Sequence, residues 1–495
     1  MAILTDRVLA QSSAITATTL IHIVDPNDPS QNPAGSSYKA TLSQLLPLFG
    51  GSSGNCITDL YITNLHGCSP ITVWDSIQFS GSTTNGNGSF AFGVNTTSNG
   101  IGSFTEGVDT IASANASHAE GRATTASGVN SHAEGQETIS SGVASHAEGY
   151  QTTASGNNSH TEGSGTIASG LNSHAEGRLT IASGNNSHAE GGQTEAIGLR
   201  AHAEGSETIA SGTTSHAEGF QTQAIGDYSH AEGSGTIASG GTSHAEGIDT
   251  QAIGIGSHAE GDSTIASGIT SHAEGLNTQA LGDYTHAEGV DTIATGTASH
   301  AEGSDNEAVG LISHAQGGLT QAIGVGSHAE GLLTQAIGIY SHAEGSYTRA
   351  IGNESHTGGK GGLFTGSYIF AEGEASFAHQ GATTLGPKGV SGDNSAILGG
   401  LDNNIYSGAT SSVILGGLEN VIISGASNSI VLGGQNITGS TLNTVYVPDF
   451  VIKKSAAVPV NSADPIGEEG SVTWDNTHFY WKTATGWLRV LGSSF

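Results

Sequence analysis

The chain has 495 residues, of which 76 are glycine and only 11% are charged, and its formal net charge is −32. That acidity excludes nucleic-acid binding by a basic stripe, and the 12 Lys and Arg residues form no cluster. No run of 18 apolar residues offers a membrane-spanning helix. Met1 to Ala10 also lacks the basic-then-apolar pattern of a signal peptide, so assembly in the cytoplasm is expected.

Residues 1–50 read as a separate unit. Thr19 to Val24 has the pattern of a strand and runs into the turn-rich Asp25–Pro29. Tyr38 to Leu46 reads as a short amphipathic helix or a strand–helix pair, stopped by Pro47. Asn32 to Lys39 and Ser43 to Leu46 resemble the virion-attachment ends of bacteriophage tail-fibre proteins. That resemblance implies a baseplate or capsid protein as the partner of this end. Residues 51–88 read as a linker, with Gly50–Gly54 as a flexible joint. The two cysteines, Cys56 and Cys68, are expected reduced in a protein assembled in the cytoplasm, although a disulfide between them remains open. With His66 they make a weak zinc signal, since a closed site wants four ligands.

From residue 89 to 375 one unit dominates. The pentad S-H-A-E-G, first complete at Ser117–Gly121, returns every 14 residues and places 18 of the 22 histidines in one register, from His118 to His356. Aromatic variants hold the same spacing at Ser89–Gly93, Ser103–Gly107 and Ile369–Gly373, giving about 21 coils. The full unit, S-H-A-E-G-x-x-T-x-A-x-G-x-x, contains two alternating runs, and alternation at period two is a strand signal. Frequent glycine argues against helix, and the absence of proline between Pro70 and Pro387 leaves every ladder donor in place.

One face of each run holds only Ser, Thr, Ala and Gly, which suits a very narrow interior. The other face, pointing out, is His and Glu on the first strand and variable on the second. From about residue 194 the second strand alternates between T-I-A-S-G and T-Q-A-I-G, a weaker 28-residue period. The expected fold is a flat, two-sheet roll of stacked parallel strands, on the order of 100 Å long at about 4.8 Å per coil. A core this small yields little at about 25 cal/mol per Å² of apolar burial, so self-association along the regular His/Glu face is expected.

The spacing of Ser117, Ala119 and Gly121, and of the second-strand Thr, Ala and Gly, resembles the head of trimeric autotransporter adhesins. The resemblance implies an all-β, trimeric, left-handed parallel β-roll (a β-solenoid) in which the His and Glu positions face the threefold axis. The axial ladder would then include His118 and Glu120, His132 and Glu134, His146 and Glu148, His174 and Glu176, His216 and Glu218, His258 and Glu260, His300 and Glu302, and His342 and Glu344. In the family these positions are apolar, so this sequence departs from a dry core.

Residues 376–445 carry a 17-residue repeat, seen at Asn394–Gly400, Ser411–Gly417 and Asn428–Gly434, with aliphatics in place of His and Glu. The register is expected to break between the two repeats, near Phe377 to Pro387. Residues 446–495 form a tip with three of the four tryptophans: Val472 to Lys482 reads as a hairpin turning at Asp475–Asn476, followed by a further turn and strand from Thr483 to Val490. This end resembles the C-terminal tips of phage fibre proteins and would close the exposed sheet edge. Trp474, Phe479, Tyr480, Trp481 and Trp487 are either its core or stacking surfaces for receptor sugars.

The chemistry of the ladder has two readings. The plainer is a hydrogen-bonded imidazole–carboxylate interface. In that reading a buried Glu raises the His pKa, so stability is complete below about 6.5 and fades as pH rises through the raised value. The sharper reading is a metal ion or anion held by histidines around the axis, with no other cofactor expected. Catalysis is not expected, because eighteen near-identical copies make a building material and the rod offers no cleft for paired carboxylates. These features point to a homotrimeric bacteriophage fibre that presents its C-terminal tip to a host surface glycan or protein. The rivals are a cellular trimeric adhesin fragment and an ice-binding solenoid using the Thr110, Thr124, Thr138 column.

Overall fold

A computed structural model describes residues 20–25, 36–41 and 77–78 as backbone, and then 81–362, 366–448, 458–459, 461–465, 469–475 and 478–491. Every regular element among the described residues is a strand, with no helix. Residues 1–72 and 73–495 are separate compact units.

In the first unit Leu20–Asp25 pairs antiparallel with Ser36–Thr41, with Leu20 opposite Thr41 and Asp25 opposite Ser36. The start of the Tyr38–Leu46 segment is therefore strand; the rest of it, with Cys56, His66 and Cys68, lies outside the described residues.

The second unit is a parallel β-solenoid of two sheets, with 26 strands in the first and 25 in the second. Each strand pairs only with the strands one coil before and after it, so like residues lie over like: His132 is opposite His118 and His146. The ladder starts inside the stretch assigned to the linker, where Ile77–Gln78 pairs with Phe90–Ala91 and Thr83–Thr84 with Thr97–Ser98. It ends where Ile430–Val431 meets Val445–Tyr446.

The repeat follows from how closely the coils stack. A Cβ at Gly226 would lie 2.0 Å from the Gly240 carbonyl oxygen, and one at Gly219 (φ +111) 2.1 Å from the Gly233 oxygen, so both pentad glycines are steric requirements. The x-x corners take the left-handed conformation, as at Asn130 (φ 56) and Glu137 (φ 58). Asparagine tolerates it well, whereas Ile312 (φ 56) is a β-branched residue held there by the coils on either side. The pentad serine closes its corner: the Ser215 hydroxyl donates to the Gly212 carbonyl at 2.8 Å. Ala217, Thr222 and Ala224 are fully buried in the interior, as are their equivalents along the rod. The buried Thr110, Thr124 and Thr138 therefore cannot present an ice-binding face.

At the end of the 14-residue section one expectation holds and one is corrected. The 14-residue register does break near Phe377, as expected, but the stacked ladder runs on. His356 pairs with Phe377, 21 residues on, and Phe377 with Ala396, 19 residues on, so the extra residues loop out while the strands stay stacked. Ile369–Ala371, which keeps the 14-residue spacing of the His/Glu strand, belongs instead to the other sheet, paired with Thr348–Ala350. The inserted residues before it moved the strand out of the sequence register. Beyond this point Ile397, Ile414 and Val431 take the interior places of alanine, while Leu398, Leu415 and Leu432 stand outward where glutamate stood. A buried asparagine ladder joins these wider coils: Asn420 Nδ2 donates to the Gly416 and Gly434 carbonyls at 3.0 and 3.1 Å, and Asn420 Oδ1 accepts from the Ile437 N–H at 2.9 Å.

Candidate functional site

In S-H-A-E-G the alanine points inward, so period two sends His and Glu to the same outer face. Parallel in-register pairing then stacks imidazole on imidazole. From His118 to His342 successive rings lie 4.5–4.9 Å apart with interplanar angles of 9° or less. This is the strand spacing itself. Phenylalanines cap the column edge-on at both ends, Phe104 against His118 at 4.8 Å and Phe377 against His356 at 4.9 Å.

The glutamates form a parallel column beside the rings. Each His and Glu side chain is roughly a third exposed; His216 and Glu218, for example, are 36% and 35% exposed. Nε2 of His118, His174, His216 and His258 lies 3.6–3.7 Å from the Glu two residues on: Glu120, Glu176, Glu218 and Glu260. Nε2 of His146 and His342 instead faces the carboxylate of the preceding coil, Glu134 and Glu330, at 3.5 Å. Glu148 faces His160 at 3.6 Å, and Glu302 lies between His300 at 4.0 Å and His314 at 3.6 Å. Only His356 Nε2 and Glu344, 3.3 Å apart, reach hydrogen-bond distance. Within one chain, the expected imidazole–carboxylate hydrogen-bond ladder is therefore corrected to a stacked ring column beside a carboxylate column. The strand spacing fixes the rings face to face, and seventeen Nε2 atoms are buried without a hydrogen-bond partner.

Within the chain, the histidine pKa direction is opposite to the one expected. Burial lowers His118, His132, His174 and His258, and for the last three the neighbouring imidazoles add to the effect. From Glu120 to Glu218 the carboxylates alternate. Glu120, Glu176 and Glu204 are pushed up to about 7, first by sharing a proton with the carboxyl of an adjacent coil and then by burial and like charge. Glu134, Glu190 and Glu218, the other halves of these contacts, are lowered. A column of like charges at one-strand spacing titrates as pairs. Sequence reasoning looked at His beside Glu within one pentad and missed Glu above Glu between pentads.

The outward face of the second sheet is different in kind. Ile225, Ile253 and Leu281 are 44%, 44% and 39% exposed, alternating with glutamines that bond along the rod, as Gln335 does to Gln321 at 2.7 Å.

At the tip Val472–Trp474, His478–Thr483 and Gly486–Leu491 form an antiparallel three-stranded sheet. Tyr480 and Trp487 are buried and Trp474 is half-buried; the Tyr480 hydroxyl donates to Asp475 Oδ2 at 2.9 Å, and the Lys482 ammonium stands 5.5 Å over the Trp487 ring. Tyr480 and Trp487, with Asn461 and Arg489, also line a cleft of about 420 Å³. The opposite face presents Phe479, Trp481, Leu488 and Val490, exposed and joined by the pairings Phe479–Val490 and Trp481–Leu488. Of the five aromatic candidates, the sheet thus turns two to its outer face and uses two as core.

Four stretches, residues 147–173, 245–271, 259–285 and 273–299, match the YadA head domain repeat. The chain is thus an adhesin-like repeat protein whose β-solenoid is YadA-like, a structural rather than an enzymatic kind of fold. No curated protein matches the whole sequence significantly.

Proposed function

We propose that this chain is the attachment fibre of a bacteriophage virion: a homotrimer whose N-terminal unit docks on the virion, whose roll is a spacer, and whose tip binds the host surface. The observation that carries the reading is the apolar outer face of the tip sheet, Phe479, Trp481, Leu488 and Val490, on a chain otherwise built as a long repetitive rod. An apolar patch with two aromatic rings on one sheet face is the kind of surface that meets a glycan or protein. The YadA-like repeats support trimerisation, and the likeness of Asn32–Lys39 and Ser43–Leu46 to fibre attachment ends supports the virion. The 26-strand first sheet gives a reach of about 120 Å at about 4.8 Å per strand.

The test is binding of the purified full chain to an array of bacterial capsule and lipopolysaccharide glycans and to whole cells. Trp481→Ala is expected to cut binding at least tenfold, while Ile225→Ser on the rod leaves it unchanged. Binding that ignores Trp481→Ala contradicts the tip as the contact. Binding to animal matrix proteins in place of bacterial surfaces would favour a cellular adhesin.

A further inference from the structure

The His/Glu column leaves a donor set that neither the fold nor the attachment reading uses. Nε2 is buried and without a hydrogen-bond partner in seventeen consecutive coils. Its neighbour each time is a carboxylate oxygen at 3.5–4.0 Å. That is too long for a charge-assisted hydrogen bond, which closes to about 2.7–2.9 Å. It is close to the separation of roughly 3.4 Å between two donors on one tetrahedral ion with bonds of about 2.0–2.2 Å. Glu120 spans two coils, with Oε2 3.6 Å from His118 Nε2 and Oε1 4.0 Å from His132 Nε2. Five such His–Glu–His triplets, among them His202–Glu204–His216 and His230–Glu232–His244, have all their donor atoms within 4.8 Å of one another. The glutamates are about a third exposed, so an ion can arrive from the solvent side.

We propose that this column is a linear array of divalent transition-metal sites, each formed within one chain by the imidazoles of two successive coils and the carboxylate between them. Water completes the coordination. Neutral imidazole with carboxylate suits Zn²⁺, Co²⁺ or Ni²⁺; Ca²⁺ and Mg²⁺ prefer all-oxygen sites. With Nε2 as the ligand atom, the ring proton of each neutral imidazole sits on Nδ1. One Nε2 serves one ion, so adjacent triplets compete, and eighteen histidines hold at most nine ions per chain. Each ion also offsets the repulsion of the stacked carboxylates in a chain of net charge −32.

The test uses the full chain, stripped with chelator, dialysed against Zn²⁺ and assayed for bound metal, with Co²⁺ absorption as a second reading. Several ions per chain, up to nine, and the visible bands of tetrahedral Co²⁺ are expected. The variant Glu204→Gln, Glu218→Gln, Glu232→Gln and Glu246→Gln removes the carboxylates of four coils. It should lose about two ions with an unchanged circular dichroism spectrum and native mass, because Gln316 already stands at this position in the chain. No bound Zn²⁺, or a variant that binds as much as the parent, overturns the proposal. A native mass that falls on chelation also overturns it, by moving the ions between chains. The native mass of the stripped chain reports on the attachment-fibre reading independently.

Discussion

The 14-residue and 17-residue sections are one continuous ladder built on two different cores. The first is filled with Ala, Ser and Thr under an outer face of His and Glu; the second is filled with Ile and Val under an outer face of Leu. Ala217 and Ile414 occupy equivalent interior places, both fully buried. The difference shows that coil length sets core size. Three more residues per coil widen the interior enough for a branched side chain, and the asparagine ladder at Asn403 and Asn420 satisfies the backbone that the wider path leaves open. The longer section carries more of its own apolar burial, and the shorter one depends more on its outer faces.

Three experiments break or sharpen that contrast, the strongest first. Gly226→Ala puts a methyl group 2.0 Å from the Gly240 carbonyl, so the two coils must part. Overpacking costs about 1–3 kcal/mol and occasionally more, and a clash with rigid backbone belongs at the upper end. Gly425→Ala, at a position with φ +86 and nothing within 4 Å, adds only left-handed strain of about 1–2 kcal/mol. Thermal denaturation and limited proteolysis of the two variants separate these outcomes; equal effects would contradict the close stacking. The second experiment exchanges the cores. Ile414→Ala should cost about 2–5 kcal/mol through the cavity it leaves. Ala217→Ile should destabilise too, by about 1–3 kcal/mol, because the narrow coil cannot accept it. A stabilised Ala217→Ile protein would mean that the 14-residue interior is not tight.

The smallest effect is in pH. The lowered histidines, such as His118, His174 and His258, contribute stability that is complete above pH 6.5 and lost as pH falls through their folded values. The raised Glu120, Glu176 and Glu204 act oppositely: their contribution is complete below the ordinary value of 4.5 and is lost as pH rises through about 7. Partial exposure of both columns screens the size of each effect. The 17-residue section has neither column. Its Asp402, though pushed up by burial, is held below the ordinary value of 3.8 by hydrogen bonds from Thr383 and Thr384, so its contribution is lost only as pH falls through that lowered value. Segment-resolved hydrogen exchange between pH 5 and 8, corrected for intrinsic rates, should change in the first section and stay flat in the second. Imidazole midpoints above 6.5 by NMR would restore the ion-paired ladder.

Much of this was readable in the chain. The spacing of Ser117, Ala119 and Gly121 gave the coil, its strands and its small interior, because period two and steric size are local properties. The insertion that carries Ile369–Ala371 into the other sheet was not readable, since its spacing imitates the repeat while its partners are set by the fold. The column chemistry was half readable. His and Glu were correctly placed outward, but ring stacking and carboxyl pairing arise between coils, where no pentad considered alone shows them. The isoleucine at corner 312 carries no turn signal, because its conformation is imposed by its stacked neighbours. Among the tip aromatics, alternation alone left open which face was core; the pairing of Trp481 with Leu488 and of Tyr480 with Arg489 separates them.

The most direct test of a trimeric fibre is the native mass of the purified chain by light scattering, combined with its outline by electron microscopy. A particle of about 150 kDa, three times the chain mass of 49.5 kDa, with a straight rod of about 120 Å, is the result expected. A stable 49.5 kDa monomer, soluble with both outer faces bare, would contradict it.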